Sequence, residues 1–554
     1  MSCPTLIRIR EKRGSDCASQ GGREPKAAYR SCKLLDLFGP LPSTLSDLAF
    51  LLPILVLFWC TTGVPWLLAD SDTGWHIRTG EWILTNGHVP KADLFSFTKA
   101  GVPWIAWEWL TDVVMALAHR ACGLPGVVLL ALLLLGATSV CIYRGTVAEC
   151  GYRLVAFVLT WLAVAASTVH WLARPHLVTP LMTAILLRIL SSAEKKQNGA
   201  WLWTPLPLTI LWGNLHGGFF VGIALICTYA MGTAAEELIH GSWQDAWARS
   251  RNYVLAATGC VLASFLNPYS YHLHVHVAQY LGASFYFERI IEFQSIDFHS
   301  FPAAYFETLL VLAIAAATWH LHAQRLVRVL LLLSWSHLAL FSARNIPIFA
   351  VIAVPSIGVA AREWLNVGTS RSPVWMREFT ASIAELESGL RSIANRCSRR
   401  HWHSLPVFAV LLIAFLLVHP RHSKVLRAAF DHDRFPVEAA GFLSQQRLLS
   451  PVRLYSSWQW GGYLIYRLWP SMTVFDDGRS DFYGPNFVEE GLRVWSAHPD
   501  WCSILERNRV SAALVPGDSS LASVLRGRPE WRPVYQDHLA VLFAKIEKGD
   551  ANRD

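Results

Sequence analysis

Charge is scarce in this 554-residue chain: Asp, Glu, Lys and Arg together make up 16% of it, against about 25% in soluble proteins. That deficit excludes the soluble multidomain protein that the length alone suggests. Paired cysteines are missing too. The eleven Cys are scattered, four of them (Cys60, Cys141, Cys227, Cys260) inside apolar runs, with no CxxC and no zinc-ligand spacing. Neither a disulfide framework nor a structural zinc site is indicated. The first apolar run follows 47 polar residues, eight Lys/Arg and five Asp/Glu among them, so it lies too far along for a typical signal peptide and reads as a retained helix. No internal repeat is visible.

What the chain does have is apolar length. Hydrophobic residues make up 53% and clump into runs, and a run of about 20 residues crosses a bilayer as a helix. Eleven spans are expected, at 48–68, 125–143, 154–172, 177–191, 201–213, 218–235, 253–266, 303–320, 328–342, 346–360 and 405–418. With the N-terminus inside, the cytoplasmic pieces (1–47, 144–153, 192–200, 236–252, 321–327, 361–404 and Arg328) hold 23 Lys/Arg, and the short outer connections hold seven. The net charge of +8 is therefore topological, following the positive-inside rule, and does not point to nucleic acid. Dividing 201–235 at Asn214-Leu-His216-Gly-Gly is what keeps this orientation; merging the two would place the seven Arg of 361–404 outside.

The expected architecture is thus an α-helical polytopic membrane protein: a basic cytoplasmic segment 1–47, a transmembrane domain 48–418 with a long first outer loop 69–124, and an outer tail 419–554. Residues 374–397 repeat apolar positions every three to four residues, as in an amphipathic helix on the cytoplasmic surface or one packed on its neighbours. In the tail, short β-type runs (452–456, 472–475, 512–515, 534–535, 539–546) alternate with helical stretches (436–446, 486–508), which predicts a small α/β domain.

Ionisable groups near a bilayer are costly and usually mark function. Under this topology Asp70, Asp72 and His76 follow the first span, Arg174 and His176 separate the third and fourth, Asn214 and His216 the fifth and sixth, and Arg344 and Asn345 the ninth and tenth. Asn267, Glu288, Glu292 and Asp297 lie between the seventh and eighth. All fall on the outer face, which predicts a shared outer site. Asp70 and Asp72, with His76 four residues on, suit either a metal site or a general base for a hydroxyl. Spacing decides neither, and Asp-x-Asp also marks turns and helix caps. In the tail, FDDGRSDFYGPN places Asp476, Asp477, Arg479 and Asp481 after a β run; it lacks full EF-hand spacing and reads as a strand-end turn. His272, His274 and His276 of YHLHVHV share a face only if the segment is a strand.

The acidic motif just outside the first span, the long first outer loop, about eleven spans and an outer C-terminal domain together resemble the polytopic GT-C glycosyltransferases. More closely, DSDTGWHIRTGEWIL with HVPKADLFSFT, LWGNLHGGFFVG, ARNIPIFA, and WQWGGYLIYRLWP with FDDGRSDFY resembles a set of bacterial glycosyltransferase-like membrane proteins. The resemblance implies that Asp72, supported by Asp70, is the general base or a ligand of a divalent metal ion. It implies further that Arg174 and Arg344 hold the phosphate of a lipid donor. The shared outer face adds His76, His176, Asn214, His216 and Asn345 as expected substrate-binding residues. Trp458 to Tyr463 loosely resembles the WWDYG acceptor motif of oligosaccharyltransferases, but Gly461 stands in place of its Asp.

The implied function is transfer of a sugar from a polyprenyl-phosphate donor to an extracytoplasmic acceptor at the bacterial inner membrane. Chemistry supports the same donor class: nucleotide sugars are made in the cytoplasm, so an outward-facing transferase needs a sugar already carried across on a lipid, cations for the leaving phosphate and a base for the acceptor. A transporter is the first alternative, although it would usually show inverted repeats and polar or broken mid-membrane segments. A non-catalytic assembly protein of envelope polysaccharide synthesis is the second.

Overall fold

The computed structural model describes residues 44–196, 203–367, 373–400, 404–419, 423–445 and 452–546. Most of the expected N-terminal segment (1–43), residues 197–200, 368–372 and 401–403 of the expected inner connections, and 201–202 of the expected fifth span lie outside the described residues. The described residues form one compact unit.

Helices occupy all eleven expected segments. Six are long and apolar enough to cross a membrane: Leu124–Cys150, Arg153–His170, Pro175–Lys195, Phe219–Ile239, Phe301–His322 and Ala343–Asn366. Leu45–Cys60, Leu326–Phe341 and Leu405–Val418 are apolar but shorter. Helix Pro205–Leu215 has 11 residues, roughly 16 Å at 1.5 Å per residue, half the hydrocarbon thickness. It ends at His216, and the next helix starts at Phe219, so the chain does break at the expected His-Gly-Gly. Helix Trp243–Ala263 starts ten residues before the expected span at 253, because Ser242 and Asp245 form a capping box there that satisfies orphan amides at its N-terminus.

The first helix stops at Cys60 and the chain turns through Gly63, whose φ of 83° favours glycine, before a short helix Val64–Leu67 restarts at Pro65. This turn delivers Asp70 and then helix Asp72–Asn86. That helix packs on Trp109–Cys122.

The tail holds a four-stranded sheet of order β1-β2-β4-β3, with β1 Leu454–Ser456, β2 Ala512–Pro516, β3 Trp531–Gln536 and β4 Ala540–Lys545. β1 runs parallel to β2; the other pairs are antiparallel. The α/β character is as expected, with three local differences. The run 472–475 is no strand: Val474 makes isolated bridges to Ser96 and Leu454. The stretch 486–508 splits into Pro485–Trp495 and Trp501–Arg507, and WQWGGYLIYRL is a helix, Trp458–Leu468. The tail also shares a core with the first loop, in which Trp75, Phe95 and Trp104 pack with Leu454, Trp460, Tyr463 and Val474. Burying side chains of this size contributes about 1.5–3 kcal/mol each, which binds loop and tail into one body.

The amphipathic helix is present as Val374–Arg400. Glu387 accepts from the Arg153 and Leu154 amides at 2.7 and 3.4 Å and pairs with the Arg153 guanidinium at 3.1 Å, capping the helix that starts at Arg153. Trp375, Phe379 and Leu386 stay exposed.

Candidate functional site

A cavity of about 1110 Å³ opens where the first loop, the tail and the ends of the bundle helices meet. The membrane helices give it apolar lining, with Leu135, Ile142, Val164, Leu338 and Ile348. Its polar lining gathers Asp70, Asp72, Glu108, Arg174, His176, His216, Glu292, Arg344 and Asn345 with Asp476, Asp477, Arg479 and Asp481 from the tail.

Arg174 organises the polar groups. Its Nη1 lies 2.8 Å from Asp70 and 3.3 Å from Glu292, and its Nη2 3.1 Å from Asp72. Arg344 approaches the other oxygen of Glu292 at 3.7 Å and lies 4.5 Å over the Phe293 ring. Asp72 is 6% exposed. Burial, then the charge of Asp70, raises its pKa to about 8 against the pull of Arg174, and Asp477 and Glu292 add to the rise.

A second chain of polar contacts starts at the helix break. The Gly218 amide donates to His216 Nδ1 at 3.0 Å, and Thr179 Oγ1 lies 2.8 Å from the same nitrogen. Nδ1 is therefore the acceptor, and Nε2 carries the hydrogen that faces Glu108 at 3.2 Å. A Cβ on Gly218 would collide with Thr179 and the imidazole, which accounts for glycine there. Burial, then Arg344 and Arg174, pushes the His216 pKa down to about 3. Burial likewise raises Glu108 to about 7. Behind Glu108, His76 Nδ1 and Asp112 lie 2.7 Å apart in the interior, where burial lowers the histidine pKa and raises the carboxyl, so both tend to neutral forms.

The tail closes the far wall. Arg479, 2% exposed, bonds both oxygens of Asp477 at 2.8 and 2.7 Å and reaches Asp93 of the first loop at 2.8 Å. It also lies 4.5 Å over the Trp104 ring. Gly478 lies against the Asp72 carboxylate and Gly462 against the Ser71 carbonyl, each so closely that a Cβ would not fit. His276 bonds Asp481 at 2.9 Å. YHLHVHV is helical, in Tyr271–Gly282, and its histidines part: His274 turns to Ser264 at 2.8 Å while His276 meets the tail.

Of the residues expected from the sequence, Asp70, Asp72, Arg174, His176, His216, Arg344 and Asn345 line this cavity. His76 stands behind its wall. Asn214, expected to bind substrate, has its amide engaged elsewhere: it accepts from Trp109 at 3.0 Å and donates to Ile210 and Leu266 at 2.8 and 2.9 Å. Arg174, expected on donor phosphate, directs its guanidinium at three carboxylates. Sequence reasoning missed Glu108, buried in an apolar stretch (IAWEWL), and treated Asp477 and Arg479 as a turn. Their signal was the density of charge in FDDGRSD.

The carboxylates do not fit a divalent cation as arranged. Asp70 spends one oxygen on the Asp72 amide at 2.8 Å and the other on Arg174. Asp72 gives one to Arg174 and presses the other on Gly478. Glu292 divides its pair between Arg174 and Arg344. A hard cation needs several open oxygens, and a guanidinium stands where it would lie.

No family model and no curated protein sequence matches the chain. Solved structures do. The archaeal oligosaccharyltransferase AglB from Archaeoglobus fulgidus, in complex with an inhibitory peptide and a dolichol-phosphate, aligns with 85% of this chain and 69% of its own length at 10% identity and a TM-score of 0.51. The apo form of the Archaeoglobus fulgidus oligosaccharyltransferase aligns over the same shares at 11% identity and a TM-score of 0.50. This chain has the GT-C fold. ArnT from Cupriavidus metallidurans is 15% identical over 87% of this chain and 96% of its own, at a TM-score of 0.43. Within this GT-C fold Gly461 abuts the Asp476 carbonyl with no room for a Cβ, so no aspartate could stand at that point of the WQWGGY helix without moving the tail.

Proposed function

We propose that this protein transfers a sugar from a polyprenyl-phosphate carrier to a hydroxyl acceptor on the outer face of the bacterial inner membrane. The observation that carries the reading is the mixed lining of the cavity: apolar side chains of the membrane helices suit a prenyl chain, and carboxylates with guanidiniums suit a phosphate and a sugar. The fold agrees, since the Archaeoglobus relative is an oligosaccharyltransferase seen with dolichol-phosphate. In the reaction the acceptor oxygen attacks the anomeric carbon, the bond from that carbon to the phosphate oxygen breaks, and its electron pair leaves on the phosphate. Asp72, ionised, takes the acceptor's proton. Arg344 meets the charge developing on the phosphate, with Arg174 holding Asp70, Asp72 and Glu292 in register beside it.

The test is purified protein in liposomes with polyprenyl-phosphate carriers bearing radiolabelled sugars and a cell-envelope fraction as acceptor. Wild type should move label from lipid to acceptor, and Asp72→Asn should not. Tight binding of polyprenyl phosphate with no transfer from any carrier would instead favour a non-catalytic assembly role.

A further inference from the structure

Away from the cavity, three metal-ligating side chains converge on the outer side of the tail. His432 and Asp433 sit in the turn that leads into helix Val437–Gln445, and His538 sits in the turn between β3 and β4. One ligand atom from each lies within 4.8 Å of the other two. Two of the spacings share Asp433 Oδ1: His432 Nδ1 is 3.4 Å from it and His538 Nε2 is 3.5 Å. Ligand atoms bound at 2.0–2.1 Å to a tetrahedral zinc stand about 3.4 Å apart. The third spacing, between the two imidazoles, is within 4.8 Å, and both rings are about half exposed.

Both turns are held before any ion arrives. The Asp431 side chain accepts from the Asp433 amide at 3.0 Å, and its carbonyl from Arg434 and Phe435 at 3.1 and 2.8 Å. Phe430 and Phe435, on either side, are buried in the core shared with the first loop. The Trp460 indole donates to the Arg434 carbonyl at 2.9 Å. In the other turn Asp537 accepts from the Leu539 and Ala540 amides at 2.8 and 2.7 Å and from the Tyr535 hydroxyl at 2.9 Å. Ligands on fixed turns lose little freedom on binding.

We propose that His432, Asp433 and His538 bind one divalent transition-metal ion of the zinc class, with water completing four-coordination. The ion clips the segment that follows the last membrane helix to the sheet. Two imidazoles and one carboxylate suit zinc and cobalt, and disfavour magnesium and calcium, which take oxygen ligands. His538 Nε2 now lies 3.1 Å from the His432 carbonyl; on binding, its hydrogen shifts to Nδ1 and Nε2 of the neutral ring ligates the metal. The clip bears on the cavity through one turn, because Arg434 and Phe435, next in sequence, line the cavity wall.

The experiment uses the full chain in detergent, stripped with chelator and titrated with Zn²⁺ by calorimetry, with Co²⁺ as an absorbing probe. Wild type should take one Zn²⁺, show the visible absorption of four-coordinate Co²⁺, and melt higher with the metal. Asp433→Asn and His538→Ala, both at exposed positions, should each weaken binding at least about tenfold while Asp72→Asn keeps the full stoichiometry. Equal binding by wild type and both ligand variants, or none by wild type, overturns the site. Loss of the ion in Asp72→Asn overturns it too, by placing the metal in the cavity.

Discussion

Asp72 has one oxygen on Arg174 and the other against Gly478, and it holds its proton to about pH 8. A base must be ionised to accept a proton, so transfer should rise about tenfold per pH unit up to that region and level above it. Stability moves the opposite way. The folded state keeps a proton that the unfolded chain releases near its ordinary value, so the unfolded state binds fewer protons across that window and stability falls as pH climbs towards 8. Rate and melting temperature measured across pH should show opposite slopes, and Asp72→Asn should remove this contribution from the melting profile. The same variant should lose about 100-fold or more in turnover at normal membrane abundance. Unchanged turnover would move the base elsewhere, Glu108 being the nearest candidate by environment. Arg344→Lys keeps charge but not the planar fork; a raised donor KM with an unshifted melting temperature is expected, and early melting with full donor affinity would reduce Arg344 to a partner of Glu292. Because Arg174 occupies the carboxylates, Mg²⁺ or Mn²⁺ added to chelator-treated enzyme should not raise the rate. The paired carboxylates and single arginines were legible in the sequence, since they stand out between apolar runs. Which arginine bonds which carboxylate was not, because Arg174 meets Asp70 across 104 residues of chain. The pairing of His432 with His538 was hidden for the same reason.

Among the elements, helix Trp458–Leu468 decides how the site closes. Gly74 and Gly462 let it lie against the start of helix Asp72–Asn86, and a Cβ on Gly462 would meet backbone, which does not yield as a flexible side chain does. Gly462→Ala should therefore cost about 1–3 kcal/mol, read as a lower melting temperature, and should lower turnover as well by shifting Asp72. Unaltered melting and turnover would show that this contact is not needed. The length of the apolar runs located the membrane helices because it is a local property. It missed this one, whose glycines and aromatics resemble a loop until the partner surface is known. The run at 472–475 failed the other way: its residues suit a strand, but its neighbours, the first loop and Leu454 of β1, each offer one bridge and no ladder.

Across the whole molecule, the charge asymmetry predicts which face the cavity occupies. Cysteines introduced at Gly87 and Ser519 should react with an impermeant thiol reagent in cells with a permeabilised outer membrane, and one at Ala323 should not. Labelling at Ala323 alone would invert the orientation and put the site in the cytoplasm. The architecture was readable as spans plus an α/β tail. That the tail is part of the site was not, because nothing in its sequence says that Arg479 pairs with Asp93.

That pairing also sets an order of events. The ribosome makes the first loop early and residues 476–481 near the end, so a half-made chain already in the bilayer has its Asp72 uncovered, with no Gly478 beside it and no Arg479 behind the wall. Such a chain is an anchored protein with no reaction chamber. On the proposed function, a lipid-linked sugar donor would find no competent catalyst until the last segment has docked, so activity would be timed to the completion of the chain.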